Sequence, residues 1–155
     1  MSHPATRPVR AVALLLGMLL ALAGAAAGAE QYIERRTERA FPDVIADLQF
    51  AATERNFRLV GRNHIGHALA RAGYPDAFPA TVIQMCSLEV AHRLLSANPG
   101  FIRHMPCKVA AYQDGDQVVL TTLLLPADSG DPTADAAAAA VNATLQELID
   151  YAAGD

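Results

Sequence analysis

Asp114-Gly115, set between two β-forming runs, dictates more of this chain's fold than any other pair of residues. Lys108 to Tyr112 precede it and Gln117 to Leu125 follow it. Asp-Gly supplies the positive φ angles of a tight turn, so the two runs are expected to pair as an antiparallel hairpin.

The remaining segments alternate between strand and helix. Residues 31–39 read as a charged first strand, suited to a sheet edge. Phe41, Val44, Ile45, Leu48 and Ala52 recur at spacings of three and four, which predicts an amphipathic helix to about Arg55, with Pro42 in its first turn and Asn56 at its end. Phe57 to Val60 alternates as a short strand. Asn63 is expected to cap a brief helix stopped at Gly73. Ala80 to Met85 is a compact β run, and Ser87 opens a helix carrying Leu88, Ala91, Leu94 and Leu95 on one face. Asn98-Pro99-Gly100 breaks it.

After a loop over 126–132, Asp131 and Pro132 start a last helix. Its stripe is Ala134, Ala137, Val141, Leu145, Leu148 and Ala152. The Ala136–Ala140 run is low in complexity, but alanine is the strongest helix former. A hairpin among separated helices argues for an α+β fold: a two-layer sandwich, a mostly antiparallel sheet with helices on one face.

The N-terminus carries the three parts of a secretory signal. Arg7 and Arg10 give the basic start, Ala11 to Leu22 is apolar and uncharged, and Ala27-Gly28-Ala29 offers the small residues of a cleavage site. The expectation is a signal peptide over 1–29, a single domain over 30–155, and a periplasmic or secreted location. No second stretch is long enough to span a bilayer, so no stable membrane span is expected after cleavage. Twelve bases face 16 acids in the whole chain. Two of the bases and none of the acids precede Glu30, so ten bases remain against 16 acids, a net charge of −6. Such a domain, with Lys108 as its one lysine, is a poor partner for nucleic acid, where neutralising phosphate dominates affinity.

Several of these residues together resemble the bacterial "domain of unknown function 302" family (DUF302). The resemblance covers roughly residues 31–125. It rests on Phe41-Pro42-Asp43-Val44, on Cys86 followed by Ala91 and Leu94-Leu95, and on Met105-Pro106-Cys107-Lys108-Val109 with Tyr112 and the Asp-Gly turn beyond. Met105 stands where the family's Leu-Pro-Cys-x-Val pattern has leucine. The resemblance implies a two-layer sandwich of the TATA-binding-protein-like kind. It implies little about activity, and no catalytic residues are carried over from it.

Chemistry concentrates on few positions. Cys86 and Cys107 are the two cysteines. A pair in an oxidising compartment can be a disulfide, two independent buried thiols, or a functional thiol site. Parallel strands would hold the two apart, while antiparallel strands would change that geometry. Met85, Cys86, His104, Met105 and Cys107 flank one helix, and sulfur with imidazole suits Cu(I) and also zinc. No Cys-x-x-Cys frame is present, and no cofactor is expected, a soft metal apart. His64 and His67 would share a face on a helix but not on a strand, and they are expected to lie in a partly exposed connection. His92 reads as a surface residue. Asn142-Ala143-Thr144 matches a glycosylation sequon by chance. With no nucleophile elbow, phosphate loop or His-Glu-x-x-His, the expected function is an exported envelope domain binding a small ligand or partner, and not an enzyme. The alternative is a thiol-redox or copper-handling protein built on Cys86 and Cys107.

Overall fold

A computed structural model of the protein describes residues 31–155. The expected signal peptide and its cleavage point lie outside the described residues. The elements run β1 (Tyr32–Thr37), α1 (Phe41–Glu54), β2 (Arg58–Asn63), α2 (Ile65–Arg71), β3 (Ala80–Cys86), α3 (Leu88–Ala97), a 3₁₀ segment (Pro99–His104), β4 (Cys107–Asp114), β5 (Gln117–Leu123) and α4 (Pro132–Ala153). The five strands form one sheet in the order β1-β5-β4-β3-β2, and every neighbouring pair is antiparallel. The α+β class follows.

Alternation along the strands aims one face at the helices. In β3, Thr81, Ile83 and Met85 are buried, while Ala80, Val82, Gln84 and Cys86 are half-buried. Val109 and Ala111 of β4, with Val118 and Leu120 of β5, join them in the core. α1 adds Val44, Leu48, Ala51 and Ala52, and α4 adds its whole expected stripe. That stripe explains why a run of alanines forms a helix: the small side chains let α4 lie close to α1 and α3 while the strongest helix former costs no rotamer entropy. Asp131 accepts hydrogen bonds from the backbone N–H of Thr133 (2.9 Å) and Ala134 (3.0 Å), and Gly154 ends the helix at φ 92°. β1 is an edge strand, as its charge suggests, and it is tied to α4 by Arg35–Asp150 (2.9 Å) and by the Thr37 hydroxyl donating to the Ala153 carbonyl (2.8 Å).

The hairpin forms, with its turn one residue later than Asp114-Gly115 suggests. Asp114 is still paired, to Gln117, and the two-residue loop is Gly115-Asp116. Gly115 takes φ 59° and Asp116 does not enter the positive region, the arrangement with glycine first in the loop. Other boundaries differ too: β1 ends at Thr37 and β5 at Leu123, each two residues short of the expected run. Asn63 remains in β2, and His64 occupies the position before α2. Asn98 ends α3 and then accepts from the Gly100 N–H (2.9 Å), which starts the 3₁₀ segment where the sequence reads only a break.

Candidate functional site

Antiparallel pairing of β3 with β4 decides where the cysteines go. Met85 at the end of β3 stands opposite Cys107 at the start of β4, so Cys86 and Cys107 are at the same end of adjacent strands. Both are free thiols and both are half-buried. They line one small cavity of about 10 Å³, closed by Phe57, Leu94, Met105 and Leu125 among others. The Cys107 thiol is pushed up to about 11, first by burial and then by the neighbouring Cys86. It is therefore a protonated thiol at neutral pH, and a weak nucleophile there.

The other sulfur and imidazole candidates separate. Met85 is fully buried in the core and does not line the cavity. His104 turns its ring against Phe101, centroids 5.9 Å apart and tilted by 57°. Only Met105 of the flanking set joins the two cysteines. Among the described residues no three His, Cys, Asp or Glu side chains come together as a metal site.

A second cavity forms where the sequence offered only two loosely placed histidines. Residues 65–71 are helical, which puts His64 before the first turn of α2 and His67 within it. Both imidazoles line a groove of about 340 Å³ with Phe41, Phe78, Ala80 and Thr81. The Thr81 hydroxyl lies 3.1 Å from His64 Nδ1 and fixes that ring. Gly66 makes the groove possible. A Cβ there would collide with the Phe78 carbonyl oxygen and lie 2.8 Å from the Ala80 nitrogen, so only glycine lets α2 sit against the start of β3. His92 is exposed on α3, away from both cavities.

The model of the family described as "Domain of unknown function DUF302" matches residues 33–152. The chain belongs to the DUF302 family. The match takes in α4, beyond the roughly 31–125 that the local motifs carry. A crystal structure of an uncharacterized conserved DUF302 protein from Bacillus stearothermophilus superposes with a TM-score of 0.70 at 18% identity, covering 78% of this chain and 97% of that one. At that identity the likeness speaks for the DUF302 fold alone. No curated protein matches the chain.

The groove was the feature sequence reasoning missed. Phe41 comes from the start of α1, His64 from just before α2 and His67 from within it, and Phe78 to Thr81 from the approach to β3 and its first residues. No local pattern links three such segments. The one usable signal was Gly66 between the histidines, a glycine inside a helix, which often marks a close backbone approach.

Proposed function

We propose that this DUF302 protein is an exported domain of the cell envelope, periplasmic or secreted, that binds a small ligand or partner without catalysing a reaction. The observation that carries the reading is the groove at α2. Its volume of about 340 Å³ falls at the small end of ligand sites, which run from ~300 to ~1,000 Å³. Its lining combines apolar contact surface from Phe41 and Phe78 with a few convergent polar groups, His64, His67 and Thr81, the composition such sites have. Export is supported by Arg7, Arg10, the apolar run to Leu22 and Ala27-Gly28-Ala29. The first strand starts at Tyr32, so cleavage before Glu30 would leave every described element whole. Among the described residues no helix is long and apolar enough to cross a membrane.

Native mass spectrometry tests the proposal on protein purified from the envelope of its own cells. A small-molecule adduct is expected, and Phe78→Arg should abolish it by filling the groove. A wild-type protein free of adducts, whose His64 and His67 resonances stay unmoved by a fragment library, would remove the groove from consideration.

A further inference from the structure

The cavity between the β3 and β4 ends has an unusual lining. Three of its residues carry sulfur: Cys86 at the end of β3, Cys107 at the start of β4, and Met105 just before it. Every other lining residue is apolar except Ser87. No carboxylate and no imidazole reaches it. Its volume of about 10 Å³ is on the scale of a single small guest, since one water needs ~10–15 Å³. All three sulfur residues are half-buried, so the cavity is neither sealed nor open to bulk water.

We propose that Cys86, Cys107 and Met105 form a three-coordinate site for Cu(I), distinct from the groove at α2. Two thiolates and a thioether are soft donors, and soft donors select Cu(I) over oxygen-seeking cations. Zinc is disfavoured, because its sites draw on thiolate, imidazole and carboxylate rather than thioether, and a three-ligand zinc takes a water as its fourth, which these apolar walls do not offer. On binding, each thiol passes its proton to water and its sulfur bonds to the metal. The Met105 thioether donates a lone pair and loses nothing. No electron moves, so the metal stays Cu(I) and two protons leave per ion bound. Apolar walls from Phe57, Leu94 and Leu125 keep water from competing for the metal.

The test uses protein purified without oxygen, fully reduced, and titrated with Cu(I) against bicinchoninate as a coloured competitor. One Cu(I) per chain should leave the chelator, with near-ultraviolet thiolate-to-copper absorption. Zn(II) should not survive gel filtration with the protein. Cys86→Ser and Cys107→Ser should each weaken Cu(I) by at least about 100-fold, since loss of even an outer partner of a metal ligand costs ~10–100-fold. Met105→Leu preserves the shape of the turn and should weaken it about tenfold, below the loss of either thiol, so the proposal stays testable if a cysteine variant fails to fold. His104→Ala should bind as the wild type does. Three results overturn the site: Cu(I) left wholly on the chelator, full binding retained when both cysteines are serine, or binding lost with His104→Ala. A Cys86–Cys107 disulfide that forms in air while the reduced protein ignores Cu(I) would make the pair a covalent staple instead.

Discussion

The Asn142 side chain treats Leu125 as a neighbouring strand would. Its Oδ1 accepts from the Leu125 N–H and its Nδ2 donates to the Leu125 carbonyl, both at 2.8 Å. Leu125 is buried past the end of β5, where its backbone has lost its sheet partner, and α4 supplies the replacement. The amide is fully engaged, so the Asn142-Ala143-Thr144 sequon is structural in use. Asn142→Ala should cost about 2 kcal/mol in a denaturant titration, because two hydrogen bonds go and two buried groups are left unpaired. Asn142→Asp keeps the acceptor but turns an oxygen on the Leu125 carbonyl. It should therefore be at least as damaging at neutral pH. Wild-type stability in either variant would mean that Leu125 finds other partners.

Gly66→Ala should disturb the groove more than any change to the imidazoles. The added methyl meets backbone at Phe78 and Ala80, which cannot swing away as a side chain can. Overpacking of this kind costs ~1–3 kcal/mol. The expected result is a lower melting temperature together with loss of the His64–Thr81 contact, seen as a shift of the His64 ring resonances. His67→Ala, by contrast, removes an exposed side chain and should leave the melting temperature close to that of the wild type. Equal effects of the two would show that α2 does not depend on its close approach to β3.

What could be read from the sequence, and what could not, follows the range of the interactions involved. The α4 stripe was legible because Ala134 to Ala152 repeats at helical spacing and the whole repeat is buried. The β4–β5 hairpin was legible because its turn is local, although glycine's freedom was used one position later than the Asp-Gly pair suggests. The cysteine geometry was not legible. It turns on whether β3 and β4 run antiparallel, and the 3₁₀ segment from Pro99 to His104 that lets them do so reads only as a helix break. Met85 and Met105 look alike in sequence, yet one sits in the core and the other lines the cavity. Asn142 gave no hint of Leu125, because that pairing crosses a loop.

The mature protein is expected to begin at Glu30. The apolar segment from Ala11 to Leu22 is flanked by Arg7 and Arg10 and followed by small residues at Ala27 and Ala29, which a signal peptidase accepts. Intact-mass measurement and N-terminal sequencing of protein from the native envelope check this directly. Retention of Met1 or of the apolar segment would point to an uncleaved anchor. Ala29→Arg should block processing and leave the longer chain in the membrane fraction.

In the reduced, metal-free protein Cys107 should resist alkylation at neutral pH. Its thiol is pushed up to about 11 from an ordinary 9.0, chiefly by burial and further by the nearby Cys86. Only the thiolate reacts, so the rate of iodoacetamide labelling at Cys107, read by peptide mapping, should keep rising until the pH approaches about 11. The same shift carries a sign for stability. The folded state holds this proton more tightly than the unfolded chain, so the contribution is complete below pH 9.0 and is lost as the pH climbs from there toward about 11. Alkaline unfolding should accordingly set in earlier for the wild type than for Cys107→Ala, once each is compared with its own stability at pH 8. A labelling profile at Cys107 that levels off near pH 9 would mean that water reaches the thiol freely, and the apolar cavity around it would have to be more open than Phe57, Leu94 and Leu125 make it.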